Sequence, residues 1–447
     1  MKTRLLTLVC CLMAASSARA DDWPQFRGPD RTGVSREKGL LKAWPKEGPM
    51  LAWTYKNAGL GFSSVAVVKG VVYTLGTDMA VKGGMFLADD EYVIAIDEKK
   101  GTELWRVKIG PIFTFIRNYW GDGPRSTPTI DGDFLYALGG QGELVCVDIA
   151  NKGKEVWRKN LIKDLGGKMM DVGGDDWGYS ESPLIDGKLL ICTPGGPKGT
   201  LTALDKTNGN IVWRSVGLAH NAPYSSAVVA DIHGVRQYIQ TSYDNTNGKE
   251  SGFVSGFDAK KGNVLWSETI FKGESYAIAP SPIIKGNQVY VTSGSPGGCH
   301  LFDIDTNQKA TEQYSKKISK KVKNTHGGVV LIDDHIYGHS EPGMWICQEL
   351  KSGNIEWDEN VQLKCGSGAV TAADGKLYLY ADDGEVGLVD ADPKGFNLVS
   401  NFTIPVKSMI PQMRKTSQSS RIWAHPVIAN GHLYLRDHEY IFAFKIK

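Results

Sequence analysis

The sequence predicts an all-β fold: an eight-bladed β-propeller of four-stranded antiparallel blades, with an N-terminal strand closing the last blade. Three observations carry this prediction. A phrase running from an apolar strand and Asp, through a Gly turn, to a Trp-bearing strand recurs along the chain. A hairpin pattern precedes each copy. Glycine makes up 52 of 447 residues, above the usual ~7%, as many short strands joined by tight turns require.

Residues 1–20 read as a secretory signal peptide: Lys2 and Arg4, the apolar run Leu5 to Ala15, then Ala18-Arg19-Ala20 as a small-x-small cleavage site before Asp21. That run is too short to span a membrane, and no later stretch approaches ~18 apolar residues. A periplasmic or secreted monomer without a membrane span is expected. Residues 21–50 form an N-terminal extension, which either packs across a face or hangs free, and 51–447 form the propeller.

The first four copies of the phrase are YVIAIDEKKGTELWRV (Asp97, Gly101, Trp105), LVCVDIANKGKEVWRK (Asp148, Gly153, Trp157), LTALDKTNGNIVWRS (Asp205, Gly209, Trp213) and VSGFDAKKGNVLWSE (Asp258, Gly262, Trp266). Weaker copies place Asp305 with Tyr314, Glu349 with Gly353 and Trp357, and Asp390 with Gly395 and Leu398, and IFAFKIK ends the chain. The Asp carboxylate caps backbone donors of the turn, and Gly accepts the positive φ that closes it. Each Trp is large enough to wedge between neighbouring blades; burying one removes ~200 Å² from water, on the order of 5 kcal/mol before ordering costs. Hairpins such as STPTIDGDFLYAL, SPLIDGKLLIC and SPIIKGNQVYVT supply the two inner strands of each blade. The last blade has three strands of its own, and LAWTYK (Leu51 to Lys56) is a lone Trp-bearing strand, so it is expected to complete that blade and leave no open edge.

Charge and cysteines narrow the function classes. With 51 basic and 49 acidic residues, no general field favours nucleic acid. The basic run Lys316, Lys317, Lys320, Lys321 and Lys323 reads as a solvated blade edge. Beyond the signal there are five cysteines, an odd number without a CxxC pair, and Cys146 and Cys192 sit in apolar strand patterns as small buried hydrophobes. No metal site is expected.

In a propeller the innermost strands line a channel, and the loops leading into them form a funnel. Here those loops carry Phe62, Arg125, Trp177, Tyr179 and Glu181, then His220, Tyr224 and Tyr276, then His326, Lys364, Trp423 and His425. So many aromatic, His, Arg and Glu side chains suggest a site for a small molecule, sugar or peptide. Arg125 suits a carboxylate, Trp177 or Tyr179 a ring or sugar face, and His220, His326 and His425 hydrogen bonding or proton transfer with Glu181 as partner. The same residues would also serve as a mutually satisfied polar plug. Two longer stretches, Ile112 to Gly121 and Leu161 to Asp176, are candidate lids.

The repeated phrases resemble the quinoprotein-type repeats of bacterial methanol and alcohol dehydrogenases and of BamB-like exported proteins, over roughly residues 50 to 447. The segments DWPQFRGPDRTGVS, GPRSTP and WGYSESPLIDGKLLICTPGG are similar to a large group of exported bacterial repeat proteins. The resemblance implies a binding or scaffold propeller with an envelope protein partner. It also implies, as rivals, an oxidoreductase of alcohols or sugars using pyrroloquinoline quinone with calcium, or a carbohydrate-binding or carbohydrate-cleaving propeller. The dehydrogenases carry an adjacent cysteine pair beside the quinone, and here the sole Cys-Cys pair, Cys10 and Cys11, lies in the signal. Their metal-binding Glu and Asn with a neighbouring catalytic Asp do not map clearly onto this sequence, and the CxxCH haem motif is absent from it.

Overall fold

The computed structural model describes residues 21–447 apart from 83–84, 115–120, 173–174, 246–249, 274–277 and 411–420. The signal peptide read over 1–20 therefore lies outside the described residues, as does Tyr276. Eight four-stranded antiparallel sheets form the blades. Blade 1 runs Ala66–Val68, Val71–Thr77, Asp90–Asp97 and Glu103–Pro111 from inside outward. Blades 2 to 7 repeat the plan, with inner strands Thr129–Asp131, Leu184–Asp186, Val228–Ile232, Ile283–Lys285, Val329–Ile332 and Gly368–Ala373. Blade 8 takes Val427–Ala429, His432–Asp437 and Tyr440–Lys445 from the C-terminus and Met50–Tyr55 from the N-terminus. In that closure Trp53 lies opposite Ala443 and Tyr55 opposite Ile441.

The repeated phrase explains how the blades adhere. Asp97 Oδ1 accepts the amides of Lys99 and Lys100, and Gly101 turns the chain at φ 66°. The same Asp-capped turn recurs at Asp205 and Asp258. Each turn receives the aromatic ring of the preceding blade. The indole N–H of Trp53 donates to Glu98 O (2.7 Å), that of Trp157 to Lys206 O (2.9 Å) and that of Trp213 to Ala259 O (3.2 Å). The turn glycine lies against the ring: a Cβ on Gly101 would sit 2.6 Å from the Trp53 ring, and one on Gly262 2.4 Å from that of Trp213. At the fifth blade Tyr314 takes the Trp place and donates to Leu350 O at 2.5 Å. Where the turn lacks glycine, Gln308 holds φ 61°, and Trp266 bonds Gln237, which in turn bonds Gln308.

A β-bulge next to the Trp recurs in the outer strands. In blade 2 Trp157 faces Cys146 and Glu155 faces Val147, so Val156 is the extra residue. The bulge twists the strand and aims the indole at the next blade. It also accounts for exposed apolar side chains such as Leu104, Val156 and Val212. Apolar clusters fill the spaces between blades; one joins Tyr73 and Leu75 of blade 1 to Leu135, Ala137 and Val145 of blade 2.

Between blades 7 and 8 no Trp phrase is available, and the N-terminal extension fills the seam. Leu40 and Trp44 pack into one cluster with Tyr378 and Phe402 of blade 7 and Phe442 and Phe444 of blade 8. Backbone bonds hold the segment there: Leu41 N to Ile446 O at 2.7 Å and Trp44 N to the Ser400 hydroxyl at 2.9 Å. The extension is therefore part of the ring.

Among the described residues five cysteines are free, and Cys146 and Cys192 are buried. The basic run is not a bare strand edge: Lys316–Ser319 forms a short helix capped by Ser315, because the side chain of Ser315 takes up the amide of Ile318. The stretch from Leu161 buries Leu161, Leu165 and Met169 against Tyr179 and blade 3, so its first half is core. Most of the Ile112 to Gly121 stretch lies outside the described residues. No helix among the described residues is long and apolar enough to cross a membrane.

Trp53→Ala removes both the indole bond to Glu98 and the ring under Gly101, so it should cost about 3–5 kcal/mol, read as a lower denaturant midpoint. Deleting residues 49–58 should abolish cooperative folding, and an unchanged melt would refute the closure.

Candidate functional site

The inner strands of blades 1 to 5 are preceded by Ser64, Thr127, Ser182, Ser226 and Ser281, and these small hydroxyl residues link blade to blade around the axis. The amide of Thr127 donates to the Ser182 hydroxyl (3.0 Å), that of Ser182 to Ser226 (2.8 Å) and that of Ser226 to Ser281 (3.2 Å). On the other side of the ring Ser64 Oγ donates to His425 O at 2.7 Å. A short hydroxyl suits this position because it satisfies a neighbour's buried amide without filling the channel.

The N-terminal extension lies across the channel. Trp23 and Val67 exchange backbone bonds of 2.8 Å, and Ile130 N donates to Pro24 O at 2.8 Å, which attaches the segment to blades 1 and 2. Arg31 reaches Ser182 O (2.8 Å) and Pro183 O (3.0 Å) in blade 3. Arg27 Nη2 donates to Val329 O in blade 6, and Ser35 pairs with Ala372 (2.7 Å) in blade 7 and donates to Ile428 O (3.1 Å) in blade 8. Arg27 (φ 61°) and Arg31 (φ 56°) both adopt left-handed backbone, uncommon for arginine, which these bonds hold in place.

Above this floor is a cavity of about 90 Å³. Phe26 and Arg27 form its base, the serine ring its waist, and Phe62, Arg125, Tyr224, His326, Trp423 and His425 its walls. His326 stacks on Trp423 with centroids 4.1 Å apart, Phe62 packs on the same indole at 5.0 Å, and Phe26 meets His425 edge-on at 5.1 Å. Arg125 donates to Gly121 O (2.9 Å) and Trp177 O (3.3 Å), with its guanidinium over the rings of Phe113 and Tyr224. Burial, with nearby arginines adding to it, pushes His326 and His425 down to about 3, so both are neutral near pH 7. Arg27 is lowered to about 10 by burial and stays charged.

The structure sorts the sequence candidates. Arg125, Tyr224, His326, Trp423 and His425 meet around the cavity. Trp177 packs beside Tyr224 and offers its carbonyl to Arg125 and Tyr224. Tyr179 is buried behind the wall, donating to Pro194 O at 2.9 Å. Glu181 is also one layer back: it accepts from Thr193 N and from Gln240, and burial raises it to about 7. His220 is not among the lining residues; it packs tilted against Phe253, centroids 4.3 Å apart, and bonds Ser242 at 2.9 Å. Lys364 is exposed and lies off the cavity. Glu181 therefore has no hydrogen bond to any of the three histidines among the described residues; its bonds go to Thr193 and Gln240, and the charge of Arg31 nearby partly offsets its burial. Sequence reasoning missed Phe26, Arg27 and Arg31, although the phrase QFRGPDR that carries them had been singled out.

An eight-bladed ring, with aromatic docking between blades and a floored central cavity, defines a propeller of the quinoprotein-repeat class. The family model described as outer membrane protein assembly factor BamB matches residues 89–359, and the chain belongs to that family. A tetrathionate hydrolase of Acidithiobacillus ferrooxidans is 29% identical over 186 residues, 40% of this chain and 34% of that one. The outer membrane protein assembly factor BamB of Kangiella koreensis is 28% identical over 123 residues, 26% of this chain and 27% of that one. The chain thus spans about a third and about a quarter of these two relatives. The crystal structure of BamB from Moraxella catarrhalis superposes with TM-score 0.53 at 14% identity, covering 82% of this chain and 96% of that one, a likeness of fold.

The fold class implies quinone and calcium for some members. Calcium takes six to eight oxygen ligands rich in carboxylate. No carboxylate lines the cavity, and no group of three or more His, Cys, Asp or Glu able to hold a metal occurs among the described residues. These residues do not fit a calcium ion.

The neutral histidines set a pH dependence. Their folded pKa lies below the unfolded ~6.5, so the unfolded chain binds more protons on acidification. Their contribution is complete above pH 6.5 and is lost as pH falls toward about 3. Stability should fall between pH 6.5 and 4, by up to ~1.4 kcal/mol per unit for each histidine. His425→Gln should flatten that limb in denaturant titrations at stepped pH; an unaltered slope would show that His425 is not buried neutral.

Proposed function

We propose that this chain is an exported binding or scaffold propeller of the bacterial envelope that assists envelope assembly and takes a small ligand in its central funnel. One observation carries the ligand half. The channel is closed below by the chain's own N-terminal extension, leaving a walled cavity where buried polar atoms of Arg27, Trp423 and His425 have no partner among the described residues. A mutually satisfied plug would not leave those donors open, since an unpaired buried donor costs about 1–3 kcal/mol. At about 90 Å³ the space suits a small molecule or one terminal group of a sugar or peptide, with aromatic walls and a few oriented donors. Family membership supports the envelope half, because the family description names an outer membrane assembly factor. Blade edges and mouth loops offer the protein-binding surface.

Removing the gene from its own host should lower the amounts of outer-membrane β-barrel proteins, measured by quantitative proteomics of the envelope. Unchanged levels would sink the assembly role. Native mass spectrometry of host-purified protein should show a small retained mass, which is lost when Trp423 or Arg125 is replaced.

A further inference from the structure

We infer that the funnel ligand is a small oxyanion, or carries an oxyanion group, and that Arg27 of the N-terminal extension is its principal binding residue. This deepens the funnel reading above and rests on it. Arg27 is a buried side chain, with 4% of its surface exposed. Only its Nη2 is used structurally, donating to Thr32 O at 2.8 Å and to Val329 O. Its Nε and Nη1 have no hydrogen-bond partner among the described residues. Nη1 lies at the cavity lining: a Cβ on Gly328 would sit 2.5 Å from it and 3.3 Å from His425 Cε1, and Gly328 and His425 are both lining residues. A side chain at Gly328 would block the guanidinium, and glycine leaves it open.

The contrast with Arg31 is informative. Both arginines are buried by the same segment, yet Arg31 engages both terminal nitrogens, on Gln25, Pro183 O and Ser182 O, while Arg27 leaves Nη1 without a partner among the described residues. A desolvated guanidinium with open donors and no counter-ion is costly unless something anionic pairs with it.

The rest of the cavity has the same sign. Arg125 adds a second guanidinium to the wall, and Arg421 stands over the Trp423 ring at 5.9 Å. The remaining polar lining includes hydroxyls of Ser64, Thr127, Ser180, Ser182, Ser226 and Ser281, with no carboxylate among the described lining residues. Trp423 Nε1 and His425 Nδ1 are further buried polar atoms without a partner among the described residues. Guanidinium, indole N–H and hydroxyl donors converging on one small space suit the lone pairs of a carboxylate, phosphate or sulfate. A calcium ion or a cationic amine would face the repulsion of these guanidiniums with no carboxylate to offset it.

The test is isothermal titration calorimetry of the intact mature protein with inorganic phosphate, sulfate and acetate, at constant ionic strength held with chloride. Glucose serves as a neutral comparison, and ring signals of His425 are followed by NMR in parallel. At least one of the three anions should bind saturably at one per chain and raise the pKa of His425. Arg27→Gln and Arg125→Gln should each weaken that binding about tenfold or more, the range expected for hydrogen bonds to a charged group. Arg36→Gln should not, since Arg36 pairs with Asp30 at the surface. Arg27 also ties down the extension, so folding of its variant is checked by melting; should it fail, Arg125→Gln and the His425 shift in the unaltered protein decide. The inference is overturned if no anion binds saturably, or if binding leaves His425 unmoved and is indifferent to Arg125→Gln. Glucose binding that moves His425 while every anion is silent keeps the funnel as a ligand site and overturns its anionic character. Silence from all four overturns both.

Discussion

Most blades of this ring are held by an aromatic side chain that docks on the turn of the next. The indole N–H satisfies a turn carbonyl, and the ring lies where any Cβ on the turn glycine would be. Hydrogen bond and packing thus depend on one backbone conformation, the Asp-capped left-handed turn. Because the contact runs from blade to blade, it constrains the radial arrangement and not merely the strands within a sheet. Tyr314 shows that the requirement is a flat ring with a donor at its far end, since its hydroxyl reaches the equivalent carbonyl. The chain closes on itself by the same device: Trp53, delivered by the first strand to the last blade, docks on the turn of blade 1.

A ring built this way has two weak places, and the N-terminal extension occupies both. The seam between blades 7 and 8 lacks a docking tryptophan, and Trp44 and Leu40 supply apolar surface there. The axial channel would expose backbone of the inner strands, and residues 22–35 pair with that backbone. One segment therefore closes both the seam and the channel. By flooring the channel it converts a pore into a cup, and it brings a buried cation into a space lined by hydroxyls.

The electrostatics of the cup follow from this placement. Low polarisability around the floor keeps both histidines neutral and pulls the arginines below their ordinary range. Glu181, raised toward neutrality in its own buried setting, sits behind the wall with Arg31 and leaves the cavity itself without an acid. The result is a preorganised set of donors whose desolvation has already been met by folding, which is the condition under which a few hydrogen bonds discriminate strongly.

The sequence by itself determined the architecture, because the docking contact is written in local spacing. Asp, Gly and Trp stand within one turn of each other, so their repetition reveals blade number and closure without any distant contact. It also singled out Arg125, Tyr224, His326, Trp423 and His425, which the structure brings together around one cavity, since the loops leading into inner strands must meet at the axis of a ring. Tertiary structure alone decided which loop residues face the axis and which serve as packing. Tyr179, Glu181 and His220 stand in the same kinds of loop, but neighbours such as Pro194, Thr193 and Phe253, distant in sequence or in another strand, hold them away from the cavity. The path of the extension was likewise invisible, because Arg27 and Arg31 find their partners in Val329 and Ser182, hundreds of residues or half a ring away. Periodicity reports what each residue does within its own repeat. A segment outside the repeat is positioned by surfaces that exist only once the ring has closed.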